Sequence, residues 1–167
     1  MTEDRLQRLW TPYRMAYVAG DRPADEHEPS GCPFCAMGEP RDGDLVVHRG
    51  ETCFAVLNLH PYNPGHLMVL PYRHVSDLEA LTEDESRELL ATTTTAVRTL
   101  KTVSSPHAFN IGLNLGAAAG GSLSAHLHQH VVPRWGGDAN FITVLADTKV
   151  LPQLLEDTAD LLREAWD

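Results

Sequence analysis

The sequence has little cysteine, no long apolar run and no excess of positive charge. Three cysteines are too few for the disulfide framework of a small secreted protein. No stretch approaches the roughly 20 consecutive apolar residues that a membrane span requires, and the first residues do not resemble a signal peptide. A formal net charge of −10 disfavours binding to nucleic acid or to an anionic membrane. We therefore expect a cytoplasmic protein that binds neither.

The chain has the size of one ordinary domain, with 167 residues and 43% hydrophobic content. Residues 1–31 form a predicted arm and linker, because aromatic residues at 10–17 are followed by an acidic, proline-containing stretch. Residues 32–167 form the predicted folded domain.

Apolar periodicity predicts the elements of this domain. Strands are expected over residues 45–48, 52–58, 66–70, 108–115 and 126–132, the first two as a hairpin. A helix should begin after Thr82, which forms a capping box with Glu85, and run to about Lys101. Its predicted apolar stripe consists of Leu89, Leu90, Ala96, Val97 and Leu100.

A last helix is opened by Pro152. Its predicted apolar side consists of Leu151, Leu154, Leu155, Leu161, Leu162 and Ala165. This order of elements indicates an α+β domain, an antiparallel sheet with helices packed on one face.

Alternation along residues 108–115 separates an apolar face from a polar one. The apolar face carries Phe109, Ile111, Leu113 and Leu115, and the opposite face carries Asn110, Gly112 and Asn114. Two amides on a face opened by glycine suggest the wall of a pocket.

Three histidines, His126, His128 and His130, are separated by single residues. On a strand they share one face, whereas a helix would scatter them. The Val131-Val132-Pro133 sequence that follows favours a strand. A row of three imidazoles suits either phosphate chemistry or metal binding.

The motif of residues 126–132, together with Asn63-Pro64-Gly65-His66, resembles the histidine triad (HIT) superfamily of nucleotidyl hydrolases and transferases. The resemblance covers roughly residues 32–135. Residues 10–17, 114–116, 120–122 and 133–141 further resemble an actinobacterial branch of diadenosine tetraphosphate phosphorylases. Membership would imply a HIT-like fold and a homodimer.

The resemblance assigns catalytic roles to three histidines. His128 would form a nucleotidyl-imidazole intermediate while its other nitrogen donates to a backbone carbonyl. A neutral imidazole suits this attack, since its ordinary pKa is about 6.5. His130 would contact the α-phosphate, where a protonated ring would offset developing charge. His66 would support the nucleophile from a neighbouring strand.

Substrate-binding residues follow from the same resemblance. Asn58 stands where relatives bind ribose, although an asparagine that merely ends a strand fits equally well. Residues 116–122 lack the lysine of a Walker loop; they could cradle phosphate through backbone N–H groups or form a plain flexible connection. The phosphorylase branch adds Trp135.

One departure from the superfamily pattern concerns the acceptor. Hydrolytic branches usually carry glutamine four residues before the first triad histidine, where this chain has Ser122. The shorter side chain, with the Gly121 N–H and Asn114, would leave room for inorganic phosphate. In the opposite direction, His130 is hydrolase-like, because a distinct family of phosphorylases has glutamine there.

The pair Cys32 and Cys35 can be redox-active, metal-binding or incidental when judged alone. In zinc-containing relatives such a pair joins two histidines, which here are His74 and His126. Two thiolates and two imidazoles complete a tetrahedral shell, so the zinc would be structural and no catalytic metal would be required.

The resulting hypothesis is a phosphorylase that cleaves diadenosine tetraphosphate with inorganic phosphate to ATP and ADP. One alternative is a hydrolase of dinucleoside polyphosphates or adenosine phosphoramidates with the same adduct. Another is a nucleotide-binding module with little turnover. A metal hydrolase using all three triad imidazoles is a third, but alternate strand residues lie about 7 Å apart, which strains such coordination.

Overall fold

The computed structural model describes residues 30–41, 43–119, 123–138, 145 and 151–167. The predicted arm at residues 10–17 lies outside this part of the chain. The strands are β1 (Val46–Arg49), β2 (Cys53–Leu57), β3 (Leu67–Pro71), β4 (Ala108–Leu113) and β5 (Gln129–Arg134). The helices are α1 (Pro33–Ala36), α2 (Glu83–Ser104) and α3 (Leu155–Glu164), with short 3-10 turns at Leu78–Ala80 and Ala117–Ala119.

The described strands form one antiparallel sheet in the order β1-β2-β3-β5-β4. The predicted hairpin of β1 and β2 is confirmed, as is the α+β class. Helices α2 and α3 pack on one face of the sheet, over a core that includes Leu57, Leu67 and Val131. The short α1 covers the opposite face, where Phe34 and Phe54 belong to a second core. Among the described residues, no helix has the length and apolar content needed to cross a membrane.

Helix α2 begins at the predicted capping box. The Thr82 side chain accepts from the Glu85 N–H, and the Glu85 carboxylate accepts from the Thr82 N–H at 2.8 Å. The helix continues to Ser104, three residues beyond the predicted end. The sequence predicts Leu90 in the apolar stripe, but this residue is 67% exposed, because it lies about 100° around the helix from the buried Leu89.

Helix α3 begins at Leu155, not at Pro152. Ala159 and Leu162 are fully buried, whereas Leu151, Leu154 and Leu161 from the predicted apolar side are exposed. Only one narrow face of this helix reaches β1 and α2. Its Arg163 donates to the backbone carbonyls of Val46 and Asp44 at 2.9 and 2.5 Å, which ties the helix to the β1 end of the sheet.

Strand β4 lies at the other end of the sheet and pairs with β5. Its alternation is real, but its apolar face is only partly covered: Phe109 packs against the core, while Ile111 is 48% exposed. Leu115, two residues past the end of the strand, is 46% exposed.

Candidate active site

The histidine motif leads into β5 instead of lying wholly within it. Strand β5 begins at Gln129, so His130 alone of the three is in the ladder, opposite Met68 and Gly112. The preceding segment is held by the Leu127 N–H, which donates to the Val75 carbonyl at 2.6 Å. The strand predicted for residues 126–132 therefore starts three residues too early, yet the rings of His128 and His130 are still neighbours, with centroids 5.0 Å apart.

The His128 imidazole is held in one tautomer. Its Nδ1 lies 2.7 Å from the backbone carbonyl oxygen of His126. A carbonyl can only accept, so Nδ1 carries the proton and Nε2 keeps a free lone pair. Burial lowers the pKa of His128, which keeps the ring neutral near pH 7. This is the state in which an imidazole attacks an electrophile.

A chain of hydrogen bonds sets the tautomer of His130. The backbone N–H of Tyr62 donates to Nδ1 of His66 at 3.1 Å, so the His66 proton is on Nε2. That nitrogen lies 2.9 Å from Nδ1 of His130 and donates to it. The proton of His130 is therefore on Nε2, where the ring acts as a donor.

His130 is neutral in this arrangement. Burial, and to a smaller degree the neighbouring His128, lower the pKa of His130 to about 4. The protonated imidazole expected beside a bound α-phosphate stays a prediction for the substrate complex. The ring presents an uncharged N–H donor, which still stabilises negative charge on a neighbouring group.

The turn before β3 places His66 beside β5. Gly65 has a φ of +74°, a conformation that favours glycine. The buried Asn63 donates from Nδ2 to the Pro133 carbonyl at 2.9 Å and to Asp138 at 2.7 Å. Because Pro133 lies in β5, this asparagine fixes the His66 turn against the strand that carries His130.

Both predicted asparagines lie beside the histidines. The Asn58 side chain accepts at Oδ1 from the His60 N–H at 2.9 Å, and its Nδ2 lies 3.4 Å from His66 Nδ1. The Asn114 amide lies 3.3 Å from Nε2 of His130. Since that nitrogen is a donor, the contact is satisfied when the carboxamide turns its oxygen to the ring.

Of the three other predicted substrate residues, the structure describes Trp135, which lies away from this cluster. Gly121 and Ser122 lie outside the described residues. Trp135 directly follows the last residue of β5. The rise per residue of a strand places it about 16 Å along the chain from His130. Its indole N–H donates to the Ser104 carbonyl at the end of α2, at 3.3 Å.

Two aromatic residues at the site were missed by sequence reasoning. The ring of Tyr62 lies 4.6 Å from that of His66 and is nearly parallel to that of His130, at 5.7 Å and 23°. Phe34 contacts His126 and His128 with centroid distances of 5.6 and 5.1 Å. Phe34 lies within the Cys32–Cys35 motif and Tyr62 directly precedes the Asn63–His66 motif, and this proximity is the signal that could have found them.

Cys32, Cys35, His74 and His126 form a second cluster directly behind His128. One ligand atom from each lies within 4.8 Å of the others. The Sγ–Nδ1 distances are 3.4 Å for Cys32–His126, 3.3 Å for Cys35–His74 and 3.6 Å for Cys35–His126. A tetrahedral zinc ion with ordinary bond lengths would place S and N about 3.6 Å apart, so the donor set fits.

The tautomer of His126 is also that of a metal ligand. Nε2 of His126 lies 2.9 Å from the Pro71 carbonyl and donates to it, which leaves Nδ1 as the ligand atom. Burial lowers the pKa of His126 to about 4, and burial with the neighbouring Cys32 raises the pKa of Cys35 to about 11. A bound cation would favour the thiolate.

A neutral imidazole beside a second N–H donor, at one face of an antiparallel sheet, defines a protein of the histidine-triad class. The chain belongs to the HIT domain family, which matches residues 41–137.

Individual relatives agree with this assignment. The chain is 59% identical over 168 residues to the AP-4-A phosphorylase of Mycobacterium tuberculosis, covering 98% of this chain and 86% of that protein. It is 35% identical over 96 residues to the asymmetrical bis(5'-nucleosyl)-tetraphosphatase of Schizosaccharomyces pombe, covering 58% and 52% of the two chains. The crystal structure of a Zn-bound histidine triad family protein from Mycobacterium smegmatis superposes with a TM-score of 0.67 at 27% identity, covering 83% and 94%.

Proposed function

We propose that this protein is a diadenosine tetraphosphate phosphorylase, which converts its substrate and inorganic phosphate to ATP and ADP. The observation that carries the substrate and reaction is the 59% identity to the AP-4-A phosphorylase over nearly the whole chain. The observation that carries the mechanism is the His128 tautomer, with Nε2 free for attack. Residues 32–167 are the proposed catalytic unit.

In the first step, Nε2 of His128 attacks an α-phosphorus of the substrate. The P–N bond forms as the bond to the bridging oxygen breaks, and ATP leaves while AMP stays on the histidine. The Nε2–H of His130 donates to the α-phosphate and stabilises charge as it develops. His66 keeps that proton on the outer nitrogen, and Asn58 and Asn114 bind hydroxyl or phosphate oxygens.

In the second step, inorganic phosphate attacks the same phosphorus from the vacated side. The P–N bond breaks, ADP is released, and His128 returns to its neutral form. We assign the phosphate to Ser122, the Gly121 N–H and Asn114, and a substrate contact to Trp135, on the resemblance of these residues to the phosphorylase branch.

Product analysis tests the choice of acceptor. Turnover of diadenosine tetraphosphate in phosphate buffer should give ATP and ADP, and turnover should fall sharply when phosphate is omitted. ATP and AMP in equal amounts, at a rate independent of phosphate, would instead identify a hydrolase. The 35% identity to a tetraphosphatase makes hydrolysis the second candidate.

We further propose that Cys32, Cys35, His74 and His126 hold a structural zinc ion. The fit of the donor distances and the fixed tautomer of His126 support this assignment. Four protein ligands complete the tetrahedral shell, so the ion would stabilise the fold and no reaction step would need it. The expected result is one zinc per chain by elemental analysis.

We also propose a homodimer, formed through the β4 end of the sheet. Ile111 and Leu115 expose apolar side chains there, and β4 is an end strand among the described residues, so its edge can pair with a second copy. Ile111→Lys should shift the mass in solution from dimer to monomer. Leu90→Lys, at a more exposed leucine on α2, should leave it unchanged. Location in the cytoplasm stays a prediction from the sequence.

A further inference from the structure

We infer that Phe34 is a positioning residue, which couples the Cys2His2 cluster to the orientation of the His128 imidazole. The inference rests on the proposed function in taking His128 as the attacking group, and on the proposed zinc site in taking the Cys2His2 cluster as a unit held by the ion. The cluster thereby gains a second role, which is to hold the nucleophile in place as well as to stabilise the fold.

Phe34 lies between two members of the cluster. It belongs to the four-residue helix α1, directly between Cys32 and Cys35, and the Ala36 N–H donates to the Cys32 carbonyl at 3.2 Å. The side chain is 5% exposed. Its ring meets His128 at 5.1 Å with an interplanar angle of 50°, so the position of α1 determines what packs against the nucleophile.

A second link reaches His128 from His126. The His126 ring is a member of the cluster, and its edge also meets Phe34, at 5.6 Å and 80°. Its backbone carbonyl accepts the Nδ1 proton of His128. The cluster therefore acts on one imidazole from two sides, through the carbonyl at Nδ1 and through Phe34 against the ring.

The two links have a shared physical effect. An imidazole that loses a packing neighbour gains rotational freedom, and one that loses its acceptor exchanges tautomers. Either change removes the lone pair of Nε2 from the direction of attack for part of the time. Releasing the cluster or shortening Phe34 should therefore produce the same kind of defect in the orientation of His128.

Nitrogen NMR of the histidine rings tests the inference without substrate. In the zinc-loaded full chain, His128 should show one tautomer with a slowly exchanging Nδ1–H. Phe34→Leu, saturated with zinc, should show mixed tautomers or faster exchange of that proton. Phe34→Met, whose longer and more flexible side chain reaches further into the space of the ring, should show a smaller change in the same direction. A wild-type His128 spectrum in both zinc-loaded variants would overturn the inference.

Phe54→Leu is the matched control, because Phe54 is buried in the same core but its ring stacks on Tyr72. It should leave the His128 signals unchanged. Removing zinc should disturb His128 in the wild-type protein and disturb it less in Phe34→Leu, because the Phe34 link is already lost there and only the link through the His126 carbonyl remains. Fully additive effects would contradict the coupling.

A kinetic readout separates positioning from substrate binding. Phe34→Leu should slow adduct formation about tenfold or more in a single turnover, with little change in KM. A rise in KM alone would place Phe34 in nucleotide binding and overturn the inference. If no adduct forms even in the wild-type protein, the proposed function fails, while the NMR result still decides the role of Phe34.

Discussion

Nε2 of His66 lies 2.9 Å from Nδ1 of His130, and the bond joins a residue before β3 to one inside β5. The backbone N–H of Tyr62 on the other side of His66 fixes the direction of donation. A main-chain group thus decides which nitrogen of His130 faces the reacting phosphate.

Replacing His66 by phenylalanine should keep a ring in place but remove the donor to His130. His130 would then exchange tautomers, so kcat should fall by about a hundredfold with little change in KM. Steady-state kinetics measure both quantities. The control is His48→Phe, because His48 lies in the end strand β1, where its ring stacks on Trp166. Equal losses of kcat in both variants would contradict the proposal that His66 sets the tautomer of His130.

The depressed pKa of His130 predicts acid sensitivity of the fold. Unfolded, the ring binds a proton below about pH 6.5; folded, it does so only below about pH 4. Between these values the unfolded chain holds more protons, so stability from this group is present above pH 6.5 and is lost as the pH falls towards 4. The loss is of order 2 to 3 kcal/mol.

Urea unfolding at pH 7 and pH 4.5 measures this loss. The free energy of unfolding of wild type should drop more between the two pH values than that of His130→Gln, which has no ring to titrate. If the free energy of unfolding falls equally with pH in both proteins, the lowered pKa of His130 is refuted.

His74→Ala should remove one ligand from the cluster. We expect loss of bound zinc and a fall in Tm of about 10 °C, since several kcal/mol of metal-linked stability disappears. Elemental analysis and thermal unfolding measure the two effects. His60→Ala, at an exposed histidine two residues after Asn58, should keep both values. Full zinc content in His74→Ala would contradict the proposed shell.

Gly65→Ala should disturb the turn that carries His66. At this position φ is +74°, and an added Cβ would lie 2.9 Å from Cδ2 of the buried Leu100. We expect about 2 to 3 kcal/mol of destabilisation from backbone strain and steric overlap together. Gly43 has a similar φ of +71° with nothing within 4 Å, so Gly43→Ala should cost only about 1 kcal/mol. Chemical unfolding separates the two.

Local signals in the sequence predicted those features that depend on near neighbours. The Thr82 capping box, the β1–β2 hairpin and the clean alternation of β4 each follow from residues a few positions apart. The exposure of Leu90 and the start of α3 could not be predicted in this way. Which part of a helix is covered depends on the distant segments that pack against it. Likewise, the start of β5 depends on where Met68 and Gly112 can pair with it.

The candidate site divides in the same way. The three triad histidines and the cysteine pair stand out by spacing, whereas the partners of Cys32 and Cys35 came from family resemblance, since His74 and His126 are 39 or more residues away. The Tyr62 N–H and the His126 carbonyl are main-chain groups, so their roles cannot be recognised from residue type. They nevertheless decide the tautomers of His130 and His128.

The proposed mechanism depends most directly on a covalent adduct at His128. The decisive measurement is peptide mapping by mass spectrometry after rapid mixing with diadenosine tetraphosphate in phosphate-free buffer, quenched at alkaline pH to preserve the P–N bond. We predict AMP on His128, its disappearance when phosphate is added, and no adduct in His128→Ala. Turnover without a modified histidine, or AMP on another residue, would contradict the mechanism.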